Sequence, residues 1–200
     1  KGIPGVAMAT SGPGATNLVT GIASCYFDSV PAVFITGQVN RHEQKGNREI
    51  RQLGFQETDI VAMVKPITKS AWLVNNPDDL AEVIDAAFRL AVNGRPGPVL
   101  VDIPMDVQRH VLTDGIKIPL QLASETSAKV ESGRRSDFLQ ELVKSLIHAK
   151  KPLILAGGGV RSGGATQSFG ALVQHLQIPV VTSLMGVDLL PASDPLRIGM

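Results

Sequence analysis

The 200-residue chain reads as an α/β protein in which parallel sheets are flanked by helices, arranged as two consecutive units. Three observations predict this. Short, almost continuous apolar runs at 31–36, 98–104, 152–156 and 178–182 have the composition of strands buried on both faces. Between them lie segments whose apolar residues recur with the period of a helix packed against a sheet. Glycine-rich turns at 10–17 and 157–159 follow apolar runs, where a strand hands over to a helix.

Taken in order, residues 6–9 predict a first strand, and the turn Thr-Ser-Gly-Pro-Gly-Ala-Thr-Asn follows at 10–17. Gly12 and Gly14 allow backbone angles and close approach that a Cβ forbids, and Pro13 suits a first helical position. Ala15, Leu18, Val19, Ile22, Ala23 and Tyr26 form one helical face, closed by Asp28 and Ser29. A buried strand at 31–36 runs into Gly37 and Gln38. Residues 40–58 carry charge without a sustained period and predict a long loop with at most a helical turn. A strand is expected at 67–74. Asn76, Pro77, Asp78 and Asp79 make an N-cap, a first-turn proline and first-turn acids. The helix they start buries Leu80, Val83, Ile84, Ala87, Phe88 and Ala91, and Gly94 ends it.

After the strand at 98–104 the regular periods fade, and a linker composition predicts a domain boundary near 124–135. A second unit follows, with Ser136 as N-cap of a helix turning Phe138, Leu139, Leu142, Val143, Leu146 and Ile147 inward. Strand 152–156, the triplet Gly157, Gly158, Gly159, a helix over 165–176 and strand 178–182 have the layout of a nucleotide-binding half-fold.

Composition limits the function. Hydrophobic residues make up 44% of the chain, and 19 Lys and Arg against 18 Asp and Glu leave a net charge of +1. No basic excess draws the chain to nucleic acid or an anionic membrane, so small ligands are the expected partners. No apolar run reaches the ~18 residues needed to cross a bilayer, and no signal segment opens the chain. Cys25 has no disulfide partner and sits in a helical pattern, which suits a buried thiol in a reducing cytoplasm. The four histidines lack metal-ligand spacing, so no metal ligand is assigned. Both ends read as interruptions of a longer protein.

Four motifs stand in order: the 10–17 turn, Ile-Thr-Gly-Gln-Val at 35–39, Gly-Phe-Gln-Glu-Thr-Asp at 54–59 and Gly-Arg-Pro-Gly-Pro-Val-Leu-Val-Asp-Ile-Pro at 94–104. Together they closely resemble the thiamine-diphosphate enzymes of the acetolactate (acetohydroxyacid) synthase type, over essentially the whole chain. The resemblance implies a pyrimidine-binding domain at 1–123, a linker at 124–135 and the opening of a Rossmann-like central domain at 136–200. It implies that Pro13 and Asn17 lie against thiamine diphosphate, that Gln56 acts at the active-site mouth, and that Phe55 and Met105 line the substrate pocket. FAD would be held by Arg95, Gly157, Gly158, Gly159, Ser183, Leu184 and Met185. The Mg2+ ligands and the glutamate that assists the cofactor are expected outside these 200 residues. The implied reaction decarboxylates pyruvate and adds the two-carbon unit to a second 2-oxo acid. A homodimer or tetramer is implied, with a regulatory small subunit as an optional partner.

Two departures leave alternatives open. Where these enzymes usually read Pro-Lys-Asp, this chain has Pro104, Met105 and Asp106, so attraction for a carboxylate weakens by about 1 kcal/mol at a partly solvated position. The loop before Phe55 is also longer and more charged. Both fit a divergent decarboxylase or carboligase with a polar or sugar-derived substrate. A reading of another class is a non-catalytic nucleotide- or flavin-binding module.

Overall fold

A computed structural model of the chain describes residues 3–111 and 132–200, with side chains from 136 onward in the second stretch. Two compact units form, Lys1–Thr126 and Ser127–Met200. The first contains β1 (Gly5–Ala9), α1 (Pro13–Asn17), α2 (Val19–Asp28), β2 (Ala32–Gln38), α3 (Ile60–Val64), β3 (Ser70–Leu73), α4 (Leu80–Val92), β4 (Pro98–Pro104) and α5 (Met105–Gln108). Its four strands are ordered β1-β2-β4-β3, and every pair is parallel.

The apolar runs become the two inner strands because helices cover both faces of the sheet. Val33, Val99 and Val101 meet Ala87 and Ala91 of α4 on one face. On the other, Phe34 and Leu100 meet Ala15, Ile22, Ile60 and Val64 from α1, α2 and α3. Successive strand residues thus feed opposite cores, and β4 is buried at all seven positions. Each fully buried Val or Leu contributes about 1.5–3 kcal/mol relative to exposure.

Several local expectations are corrected. The first predicted helix is broken into α1 and α2 at Leu18, and Ser29 stops α2 in the left-handed region at φ 56°. Tyr26, expected inside, is exposed near that end. Phe88 is exposed as well: the small Ala87 and Ala91 bring α4 close to the sheet, and Leu90 packs there instead. The strand expected at 67–74 is only Ser70–Leu73, because Lys65–Ile67 form a 3-10 turn opened by Pro66. Helix α3 was not expected. Its N-cap is Asp59, whose carboxylate accepts from the Ala62 amide at 2.9 Å.

The second unit contains α6 (Ser132–His148), β5 (Ile154–Ala156), α7 (Gly159–Ser162), α8 (Thr166–Leu176), β6 (Val180–Thr182) and β7 (Arg197–Gly199). The strands form a parallel sheet in the order β5-β6-β7. Ala156, Val173, Val180, Leu189 and Leu190 make its core. Helix α6 begins at Ser132, so Ser136 lies within it and is not its N-cap. Phe138, Leu139, Leu142, Val143 and Ile147, expected inside, are exposed, because the core is filled from α8 and the segment after β6. Leu172 of α8 is exposed too. Residues 124–131 of the expected linker lie outside the described residues, and 132–135 are the first turn of α6. Among the described residues no helix is long and apolar enough to cross a membrane.

Candidate active site

In the first sheet β1, β2 and β4 end on one edge, and the segments leaving them carry Pro13, Asn17, Phe55, Gln56 and Met105. Chain leaving β1 turns at Gly12, which holds φ 63° and ψ −128° and accepts the Thr16 amide at 3.0 Å. Only glycine adopts this geometry cheaply. The missing side chain matters as much as the angle: a Cβ on Gly12 would stand 2.7 Å from Gln56 Cβ and 2.9 Å from the Gln56 carbonyl oxygen. The predicted turn and the predicted catalytic glutamine, 44 positions apart in sequence, are therefore in direct contact. Gln56 itself has φ 57°, an uncommon angle for a side-chain-bearing residue.

The corner carrying Phe55 and Gln56 is tied down from several sides. Glu57 accepts from the Lys45 amide at 2.7 Å with one carboxylate oxygen and from the Leu53 amide at 2.8 Å with the other. Gly54 lies on Val39, where a Cβ would sit 2.9 Å from the valine side chain. Gln38, at the end of β2, donates from Nε2 to the Thr58 carbonyl at 2.7 Å and to Asp102 Oδ2 at 2.9 Å. Its Oε1 accepts from the Val39 amide at 3.0 Å, so the network itself dictates the amide orientation. Asp102 Oδ1 accepts from Thr36 Oγ1 at 2.7 Å. Thr36 and Asp102 are direct register partners on β2 and β4.

Asp102 is 1% exposed. Burial pushes its carboxyl up to about 6, against the opposing pull of the Thr36 and Gln38 hydrogen bonds, and the negative charge of Asp59 pushes the same way as burial. Two hydrogen bonds are too few to replace the water a carboxylate loses. Cys25 is half-buried and its thiol is raised by burial and then by Asp28, which leaves it a poor nucleophile.

Phe55 is 82% exposed at the same corner. Met105 follows β4 directly and is 39% exposed. Asp106 beside it accepts from Arg41, through the amide at 3.0 Å and through Nε at 2.6 Å, while Arg41 Nη1 donates to the Asn75 carbonyl at 2.9 Å. Those bonds to Arg41 hold the Asp106 carboxyl below its usual range despite some desolvation. The charged 40–58 segment is thus strapped to the sheet edge. Pro13 and Asn17 are exposed at the two ends of α1. Arg95 is not part of this edge: it precedes β4 and donates from Nε to Ser29 Oγ at 2.7 Å, just ahead of β2, at the opposite ends of the strands.

The second sheet brings its predicted set together. Gly157, Gly158 and Gly159 leave β5, and Ser183, Leu184 and Met185 leave its parallel neighbour β6. The Ser183 amide donates to the Ala156 carbonyl at 2.9 Å. A Cβ on Gly158 would lie 3.0 Å from Met185 Cβ, and one on Gly157 3.5 Å from Ser183 Oγ. Gly186, which sequence reasoning passed over, is tighter still, with a Cβ position 2.7 Å from the Ala156 carbonyl oxygen. Thr182 Oγ1 is buried without a hydrogen-bond partner among the described residues. Arg161 of α7 and Asp188 form an ion pair beside this edge. Among the described residues no cluster of His, Cys, Asp or Glu could hold a metal ion.

Sequence reasoning also missed the Thr36–Gln38–Asp102 group. Its signals were an aspartate inside an otherwise apolar seven-residue strand and the place of all three residues within the 35–39 and 94–104 motifs.

Parallel sheets with glycine-built turns at their carboxyl edges define a class of α/β proteins that hold small ligands there. Within that class the chain belongs to the thiamine pyrophosphate enzymes. Residues 1–63 match the family described as thiamine pyrophosphate enzyme, N-terminal TPP binding domain, and residues 139–200 match thiamine pyrophosphate enzyme, central domain. All of the chain aligns at 41% identity with 33% of the acetolactate synthase large subunit of Lactococcus lactis subsp. lactis (strain IL1403). The large subunit from Corynebacterium glutamicum is 43% identical over 98% of the chain and 30% of its own length. Probable acetolactate synthase 2, chloroplastic, of Oryza sativa subsp. japonica is 42% identical over 100% of the chain and 29% of its own length. The chain spans about a third of the length of these curated relatives.

Proposed function

We propose that the intact protein joins 2-oxo acids by thiamine-diphosphate-dependent carboligation, as acetolactate synthases do. The observation that carries this reading is the contact between Gly12 and Gln56, two motif residues far apart in sequence that meet at one carboxyl edge. When bound there, thiamine diphosphate would supply the electron sink that lets a 2-oxo acid lose carbon dioxide and form a new C–C bond. Pro13 and Asn17, which stay open on α1 beside the Gly12 turn, would hold its pyrimidine end. Gln56 offers an amide to orient the second 2-oxo acid, and Phe55 supplies apolar surface that keeps water from the reacting carbon.

The second edge fits a flavin. Gly159 has open space where a side chain would stand, and the buried Thr182 hydroxyl lacks a partner among the described residues, which a ligand or water would provide. Gly157, Gly158, Gly159, Ser183, Leu184 and Met185 would hold FAD, the cofactor that the family resemblance also gives to Arg95. Mg2+ would be held by residues outside these 200. We place the protein in the cytoplasm as a homodimer or tetramer, with a regulatory small subunit as an optional partner and neither nucleic acid nor membrane as one.

Met105 favours a second reading of the acceptor. The edge lacks a lysine at that position, and Arg41 is engaged by Asp106 and the Asn75 carbonyl. A polar or sugar-derived acceptor with less negative charge suits such an edge.

Carbon dioxide release from pyruvate by the intact protein, with Mg2+ and with or without thiamine diphosphate, tests the reaction. Cofactor-dependent release with acetolactate as product is expected. Release without acetolactate would favour the divergent decarboxylase or carboligase. Inertness toward every 2-oxo acid would overturn the enzyme reading in favour of a nucleotide- or flavin-binding module. Flavin absorbance of the purified protein tests the second edge.

A further inference from the structure

We propose that Asp102 is a positioning residue that sets the Phe55–Gln56 corner against the Gly12 turn, acting through Gln38. This rests on the reading that Gln56 works in the carboligation site. The connection is continuous: Thr36 and Gln38 donate to the Asp102 carboxylate, the same Gln38 amide donates to the Thr58 carbonyl, and Thr58 Oγ1 donates to the Gln56 carbonyl at 3.3 Å. That carbonyl oxygen, with Gln56 Cβ, is what Gly12 packs against.

Packing gives no reason for a carboxylate here. β4 is buried throughout, and an apolar residue at position 102 would extend its run without the desolvation that raises the Asp102 carboxyl. What the carboxylate provides is direction. Gln38 has two amide hydrogens, and with one held by Asp102 the other is aimed at the Thr58 carbonyl. Without the Asp102 acceptor Gln38 keeps only its bonds to the Val39 amide and the Thr58 carbonyl, so its aim is weakened and the backbone on which Gln56 keeps φ 57° loses its side-chain link to β4. Asp102 touches no candidate ligand surface and is separated from Gln56 by two residues, Gln38 and Thr58.

Hydrogen exchange in the ligand-free intact protein tests this. The Lys45, Leu53, Glu57 and Ile60 amides report on the corner, each being hydrogen-bonded within it, while residues 99–101 report on the sheet. Asp102→Leu is expected to lower protection of those four amides at least tenfold and leave residues 99–101 within threefold of wild type. Asp102→Asn keeps an acceptor oxygen for Gln38 and is expected to hold all of them within threefold. In turnover, kcat/KM for the second 2-oxo acid is expected to fall at least tenfold in Asp102→Leu and to recover in Asp102→Asn.

Unchanged corner protection in Asp102→Leu would overturn the proposal, and so would an equal loss at the corner and at 99–101. If Asp102→Leu does not fold, Gln38→Leu severs the same connection and is judged by the same exchange criteria. Exchange needs no catalysis, so it decides the positioning role even if wild type is inert toward every 2-oxo acid, an outcome that overturns the carboligation reading alone.

Discussion

The two sheets present their carboxyl edges in opposite ways. In the first unit the space left by Gly12 is filled by the chain's own Gln56, and the polar groups beneath it are paired with one another around a buried carboxylate. In the second, Gly158 packs on Met185 and Gly186 on the Ala156 carbonyl, and the Thr182 hydroxyl has no partner among the described residues. The first edge is organised by a buried network of side-chain hydrogen bonds; the second is organised by close approach and by backbone hydrogen bonds such as that from the Ser183 amide to the Ala156 carbonyl. A network can aim a catalytic side chain, whereas a bare backbone can only receive a ligand.

Removing the buried charge should reveal this difference most strongly. Between the ordinary carboxyl value of 3.8 and about 6, folded protein holds a proton on Asp102 that the unfolded chain has released. The stability Asp102 contributes is therefore full below 3.8 and is lost as pH rises through about 6, a swing of about 3 kcal/mol. Asp102→Asn should remove that swing. Chemical denaturation at pH 4, 5 and 7 should show the variant gaining on wild type as pH rises, and a constant difference would refute the charged network.

Glycine replacements come next. Gly12→Ala adds a Cβ 2.7 Å from Gln56 at φ 63°, combining overpacking with backbone strain, and should cost about 3 kcal/mol and displace the 54–57 corner. Gly186→Ala meets the Ala156 carbonyl at the same 2.7 Å without a left-handed angle, so about 2 kcal/mol is expected. Equal losses in thermal unfolding would mean that the first edge is no more specifically built than the second. The smallest effect sharpens the contrast from the other side. Thr182→Val removes a buried hydroxyl that has no partner among the described residues and should stabilise the ligand-free second unit by about 1 kcal/mol. Destabilisation would show that the second edge already satisfies its polar groups.

The fold was legible where periodicity and burial agree. Residues 98–104 predict a doubly buried strand and form one, because a central parallel strand needs apolar residues on both faces. Helix α4 was equally plain from its stripe, although Asn76, expected as its N-cap, instead caps the 3-10 turn Pro77–Asp79 that leads into it, accepting the Asp78 amide at 3.3 Å. The stripe of α6 misled, since amphipathic spacing says that a face can be buried and not that something covers it. For the site, motif order singled out Gln56 and the Gly12 turn, and glycine content singled out 157–159. Asp102 was hidden in the Val-Asp-Ile run, where one polar residue in a strand carries no message until its neighbours are known.

By itself, the sequence determined the inner strands, helix α4 and the parallel class of sheet, because apolar runs, helical stripes and turn residues act over a few positions, and its four ordered motifs carried the resemblance to the family. Tertiary structure alone decided that Gln56 would sit on Gly12, that Thr36 would face Asp102 across β2 and β4, and that Arg95 would lie at the opposite strand ends. Those pairings span tens of residues. They depend on strand order and register, which are set by how whole cores pack rather than by any local run of residues.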